Sequence, residues 1–159
     1  MQFNALDDYT AEKMLDDYFE ISETDGISFF RADLGDERSC AVKLPNGKYV
    51  IGIDFSQIHS SAELRSALGH ELGHCKTNSF YGALASRWER NKAEYQAVRW
   101  AVMFCVPFAA YIDAIRSGVR DIWALSEYFD ITVASAKKVA EFYESRFLDY
   151  IRMAKEVTI

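Results

Sequence analysis

The sequence predicts an α+β fold, a small antiparallel sheet packed with a helix that carries two histidines and with further helices after it. Two observations carry that prediction. Apolar residues alternate with polar or small ones in the stretch ending at Phe55, the two-residue period of strands. After Asp54 the spacing of apolar residues becomes helical and stays so toward the C-terminus, interrupted at Pro107 and Gly118. A chain of 159 residues, 50% hydrophobic and 26% charged, has the make-up of one globular domain able to bury a core. Within it, residues 1–58 are read as an N-terminal helix and sheet, 59–107 as metal-binding helices and 108–159 as a C-terminal helical segment.

Taken in order, the first element is a helix over Thr10–Glu20, where Met14, Leu15, Tyr18 and Phe19 recur at helical spacing behind Thr10 as N-cap. Ile27 to Leu34 is aromatic and extended. Cys40, Val42 and Leu44 alternate with polar or small residues, Pro45-Asn46-Gly47 makes a turn, and Tyr49, Ile51, Ile53 and Phe55 alternate again. Ser60 and Glu63 have the spacing of a capping box. Leu64, Ala67, Leu68, Glu71, Leu72 and Cys75 follow at helical spacing. A second long helix is expected from about Ser86 to Cys105, and Pro107 argues against its smooth continuation. Beyond Gly118 come two amphipathic segments, Asp121–Phe129 and Val133–Ile151, joined at Asp130-Ile131-Thr132.

Net charge is −6 and the pI is near 5.1. The overall field repels phosphate, so direct nucleic-acid binding is not expected without a local basic patch. Cys40, Cys75 and Cys105 are an odd number, widely spaced and without a CxxC pair, which suits a reducing compartment. The N-terminal residues lack the apolar stretch of a signal peptide. The longest apolar run, Trp100 to Ile112, is too short to span a bilayer and is interrupted by Pro107. A cytoplasmic, non-membrane protein is expected.

The chemistry lies in His70-Glu71-Leu72-Gly73-His74. The chain holds 3 histidines, and two of them are here. A spacing of i, i+4 puts both imidazoles on one helix face, one turn apart, where they can share a zinc ion. Glu71 cannot share the ligand position beside it, but it can reach a water that such a metal activates and take its proton. The bland alternative is a surface helix with two solvated histidines. Gly69 and Gly73 speak against it. Each costs about 1 kcal/mol relative to alanine in mid-helix, and together they bare a stripe where another backbone could approach.

A catalytic zinc needs a third protein ligand, and no histidine follows His74. Cys75 points about 100° around the helix from His74 and reads as a small buried apolar residue. Glu89 and Glu94 are the nearest downstream carboxylates. Glu94 shares a face with Ala97 and Ala101, where a carboxylate needs something to satisfy it. Glu89 sits among Arg87, Arg90 and Lys92 and reads as solvated surface. Glu94 is the choice; its alternative is an exposed residue bonded to Arg90 or Arg99. His59 reads as a surface or capping residue. Tyr81, Tyr95 and Tyr111 each have the chemistry to donate to an oxyanion, and the sequence does not choose among them.

These residues resemble the ImmA/IrrE metallopeptidase family over roughly residues 40–135. A β-hairpin runs into Val50-Ile51-Gly52-Ile53-Asp54, then the HELGH helix, then a helix ending in a proline. The family's second helix often reads E-x-E-A-N-x-F-A-x-x-L-L-M-P. Here Glu94 falls on the first glutamate, Ala97 on the alanine, Trp100 on the phenylalanine and Pro107 on the proline; Gln96 and Val98 depart from the pattern. The resemblance implies a gluzincin-like fold, zinc held by His70, His74 and Glu94, and regulated proteolysis. It also implies a partner, a helix-turn-helix repressor of a phage or mobile element. Residues 121–143 have the cadence of a helix-turn-helix, with Lys137 and Lys138 as candidate DNA contacts; a packing or docking helix pair is the preferred reading.

The sequence therefore reads as a zinc-dependent endopeptidase with Glu71 as general base and a partner protein as substrate. The substrate is expected as an added strand along an edge near Val50–Asp54. The alternative is a non-catalytic antirepressor that docks a repressor and keeps a structural or residual metal.

Overall fold

The computed structural model describes Tyr18 and residues 25–156. Three strands form one sheet: β1 (Ile27–Arg31), β2 (Ser39–Lys43) and β3 (Tyr49–Ile53). A short 3-10 turn, Phe55–Gln57, leads to five helices. They are α1 (Ser61–Thr77), α2 (Arg87–Cys105), α3 (Phe108–Arg116), α4 (Ile122–Phe129) and α5 (Val133–Glu156). The α+β class is the one the sequence predicts. The helix expected over 10–20 lies, apart from Tyr18, outside the described residues.

The sheet differs from expectation in being mixed. Its order is β1-β3-β2, with β3 antiparallel to β2 but parallel to β1. The β2–β3 hairpin closes locally: Gly47, at φ 82°, donates its N–H to the Leu44 carbonyl, and Leu44 donates to Lys48. The chain between β1 and β2 instead wraps the end of β3. Asp54, at the end of that strand, accepts from the Leu34 N–H and donates its own N–H to the Arg38 carbonyl. Ser56 donates to the same carboxylate through its N–H and hydroxyl, and these bonds hold Asp54 below the usual carboxylate pKa. Alternation in a sequence reports which face a residue takes, not which strand lies beside it.

One expectation is corrected. Val50–Asp54 is not an edge, because β3 is the central strand; the edge beside α1 is β2. On β2, Ser39 and Ala41 turn inward, whereas Cys40 and Val42 are exposed. The helix places a carboxylate, Glu71, over this strand, so small and polar residues face it and the larger ones face out.

Ser60 caps α1 by accepting from the Glu63 N–H. The reciprocal bond from Glu63 goes to the His59 N–H at 2.8 Å, so the expected box is met half-way. At α2 the full box forms between Ser86 and Glu89. α2 and α3 bend by 57° at Pro107, and among the described residues no single helix is long and apolar enough to cross a membrane. The buried Tyr143 hydroxyl donates to the Val106 carbonyl at this break, 2.6 Å away. α5 runs past the expected end at Ile151 but loses helical geometry at Phe147.

Two apolar cores result. One joins the sheet to α1 through Ile51, Ile53, Leu64, Leu68 and Leu72. The other gathers α3, α4 and α5 on the far end of α2 around Val106, Tyr111, Ile115 and Tyr143. α1 and α2 meet where α1 is bare. A Cβ on Gly73 would lie 2.3 Å from the Ala97 carbonyl oxygen, and one on Gly69 would lie 2.6 Å from Cys105 Sγ. Gly73→Ala is therefore expected to cost about 1–3 kcal/mol by overpacking, although alanine is intrinsically the better helix former. Chemical denaturation measures this. Gly82→Ala, with nothing within 4 Å of its Cβ, serves as the control and should be near neutral.

Candidate metal centre

α1 sends both imidazoles from one face toward α2. His70 Nε2 and His74 Nε2 lie 3.2 Å apart. Glu94 reaches from α2, with Oε2 3.3 Å from His70 Nε2 and Oε1 3.5 Å from His74 Nε2. One ligand atom from each residue lies within 4.8 Å of the others, which makes the three a candidate metal-binding group. Two imidazole lone pairs and a carboxylate aimed at one point repel one another unless a cation or a proton sits between them.

The neighbours hold these side chains in place. Asn78, at φ 49°, ends α1 and turns the chain so that Ser79 comes back under the helix. His74 Nδ1 lies 2.7 Å from the Ser79 carbonyl oxygen. That bond puts the proton on Nδ1 and leaves the Nε2 lone pair facing the cluster. Burial pushes His70 below the usual imidazole pKa, the neighbouring His74 adds to this, and Glu94 opposes it.

Glu71 is buried, at 7% exposure, and Ser39 on β2 donates its hydroxyl to Glu71 Oε1 at 2.8 Å. Burial pushes the Glu71 carboxyl above the usual carboxylate range; the Ser39 bond pulls it back. A carboxyl so placed accepts a proton more readily than a solvated one.

Of the three tyrosines, Tyr81 is the one at the cluster. Its hydroxyl donates to Glu94 Oε1 at 2.9 Å. Tyr111 is buried in the second core, and the Tyr95 hydroxyl accepts from Arg146. Glu89 spends its carboxylate on the α2 cap and stays outside the cluster. Arg90 bonds the Ala83 and Ala85 carbonyls rather than Glu94. Cys75 is buried in the first core, its thiol pushed up to about 12 by burial. His59 is exposed on the surface ahead of α1.

The cluster opens into a cleft of about 920 Å³ walled by the start of β2, α1, the loop at Phe80 and Tyr81, and the start of α5. The lysine pair of α5 divides here. Lys137 pairs with Glu141 on the outer surface at 3.8 Å, while Lys138 lines the cleft near His70. Ser39 and Ser79 carried no local signal in the sequence, and Lys138 none that placed it in the cleft, because each reaches the site only through tertiary contact.

The model of the peptidase M78 family, described as the IrrE N-terminal-like domain, matches residues 22–140. The chain belongs to this family. Its membership supports a metallopeptidase, and the matched span takes in the sheet, the cluster and the first part of α5. No curated protein and no solved structure matches the chain significantly.

Removing the hydroxyl that steadies Glu71 should leave burial opposed only by the neighbouring His74 and the Ala41 N–H. In Ser39→Ala the Glu71 carboxyl pKa is expected to rise further, with the fold retained. A carbon-13 NMR titration of the labelled glutamate carboxyl reads this, and an unchanged or lower midpoint would contradict the assigned bond.

Proposed function

We propose that this metallopeptidase-family protein is a zinc-dependent endopeptidase in which His70, His74 and Glu94 hold the metal and Glu71 is the general base. The observation that carries the reading is the span of the cluster. A tetrahedral zinc with ligands at about 2.0–2.1 Å has ligand-to-ligand edges of about 3.3–3.4 Å. His70 Nε2 stands 3.2 Å from His74 Nε2 and 3.3 Å from Glu94 Oε2, both close to that edge, while the other Glu94 oxygen, Oε1, lies 3.5 Å from His74 Nε2; one ligand atom from each residue lies within 4.8 Å of the others. Two neutral imidazoles and one carboxylate are also a donor set that catalytic zinc sites use, with one position left open.

Zinc bound there would supply Lewis acidity, activating a water and polarising a peptide carbonyl. The remaining steps belong to the chain. Glu71, its pKa raised by burial, takes the proton of the attacking water and returns it to the leaving amine. Ser39 keeps the Glu71 carboxylate aimed during both transfers. Tyr81 has a hydroxyl beside the cluster that can turn from Glu94 to a developing oxyanion.

β2 supports an extended substrate. In its antiparallel ladder with β3, Arg38, Cys40, Val42 and Leu44 are the hydrogen-bonded positions, so the N–H and C=O groups of Ser39, Ala41 and Lys43 point away from β3, the Ala41 N–H being held by the Glu71 carboxylate. A peptide added there lies along the cleft and across the cluster. The target class implied by the family resemblance is a helix-turn-helix repressor, with no DNA contact by this chain required. In residues 121–143, Thr132 donates its N–H to Ser66 Oγ, and Ser61 donates to Asp130, so the turn is docked on α1.

Zinc analysis and a cleavage assay test the reading together. His70→Ala, His74→Ala and Glu94→Ala are each expected to lose most bound zinc, and Glu89→Ala to keep it. Glu71→Gln is expected to keep zinc and fold while cleavage of a repressor encoded beside the gene falls about 10²–10⁴-fold. Full zinc occupancy in Glu94→Ala would remove Glu94 from the ligand set. Equal relief of repression by Glu71→Gln and wild type, with no cleavage by either, would leave a docking protein instead.

A further inference from the structure

Beside the cluster, and distinct from the main cleft, is a second cavity of about 70 Å³. Its walls are apolar: Val98, Ala101, Val102 and Cys105 from α2, with Ile131 and Val139 from the α4–α5 turn and α5. His70 stands on one side of it, so whatever fills it lies next to the proposed metal. Its size is roughly half that of an apolar cavity of about 150 Å³ able to hold benzene. A branched aliphatic side chain suits it; a large aromatic ring does not.

Three polar groups accompany the apolar walls. Ser66 Oγ accepts from the Thr132 N–H at 3.0 Å, and Ser135 Oγ accepts from the Thr132 hydroxyl at 3.0 Å. Each serine thus keeps its own hydroxyl proton to donate. Lys138 stands one turn along α5 from Ser135 and lines this cavity and the cleft alike. No carboxylate among the described residues pairs with it, whereas its neighbour Lys137 has Glu141. One ammonium and two hydroxyl donors beside an apolar pocket form a site for an anion attached to an apolar residue.

We propose that this pocket is a substrate subsite, selecting a compact aliphatic residue followed by an acidic side chain, with Lys138 as the specificity-determining residue for the carboxylate. The assignment rests on the peptidase reading for its place next to the scissile bond, and on the pocket alone for its charge preference. The open cleft along β2 continues past the pocket, which favours an internal Asp or Glu over a chain terminus as the source of the carboxylate. The backbone that carries Lys138 is anchored at the start of α5. Thr132 caps α5 by accepting from the Ser135 N–H, and the same residue is tied to α1 through Ser66.

The test uses zinc-loaded Glu71→Gln protein and fluorescein-labelled, C-terminally amidated octapeptides, alanine except for a central Leu-Glu, Leu-Gln or Leu-Lys pair. Binding is read by anisotropy. The Leu-Glu peptide is expected to bind about fivefold more tightly than Leu-Gln, the scale of a partly screened ion pair. Lys138→Met should abolish that difference, and Lys138→Glu should turn the preference to Leu-Lys. Equal affinity for Leu-Glu and Leu-Gln, no measurable binding of Leu-Glu, or a preference that survives Lys138→Met would overturn the proposal. So would tighter binding by a peptide ending in leucine with a free carboxylate, since that assigns Lys138 to a chain terminus. Incubating the same peptides with protein retaining Glu71 separates the two readings. Charge-selective binding without cleavage would count against the peptidase alone, and cleavage without charge selectivity against the subsite alone.

Discussion

The close approach between α1 and α2 at Gly73 against Ala97 governs the rest of the site. Nothing but hydrogen on Gly73 lets the Ala97 carbonyl come so near. Glu94 lies three residues before Ala97 on the same side of α2, so the distance between the helix axes decides whether its carboxylate reaches the two imidazoles. Gly69, one turn earlier, keeps the same spacing against Ala101 and Cys105. Two glycines in mid-helix cost about 2 kcal/mol together relative to alanine. That cost sits where it brings three ligand-type side chains into one cluster.

The polar groups around the cluster are each fixed from outside α1. Ser39 comes from the sheet, Ser79 from the loop after α1, and Tyr81 from further along that loop. None of these contacts contributes much stability alone, because a net hydrogen bond is worth about 1 kcal/mol. Their effect is orientation: they decide which imidazole nitrogen carries the proton and where the buried carboxylate points. The cluster is thus a property of the whole fold, although its sequence signature occupies a single helix.

The parts visible in the sequence are those with a local cause. Helix periodicity, the Ser60 and Ser86 caps, the turn at Asn46-Gly47 and the break at Pro107 all follow from neighbouring residues. So do the pair His70 and His74 and the meaning of Gly69 and Gly73. Glu94 was legible because a carboxylate on an otherwise apolar helix face requires a partner. The strand order was not legible, since alternation in β1 is the same whether its neighbour runs parallel or antiparallel. The inward face of β2 does not follow from apolarity, since Cys40 and Val42 are the more apolar residues, yet Ser39 and Ala41 fit under Glu71. Lys138 was visible as a cation but not as part of the cleft, because its placement depends on contacts between Thr132 and Ser66, 66 residues apart.

The bend at Pro107 has a consequence for how the molecule responds to whatever it holds. It turns the chain back so that the second core grows on α2 instead of extending beyond it, and α2 becomes a party wall between two packing units. The cleft takes one side from each unit: β2 and α1 from the first, and Thr132, Ser135 and Lys138 from the second. Any molecule seated there acts as a brace across both. Its binding free energy adds to the resistance of each unit to opening, following the mass-action law for ligands of the native state. The C-terminal helices are therefore more than an appendage to a metal-binding core, since trimming them would take away one jaw of the cleft.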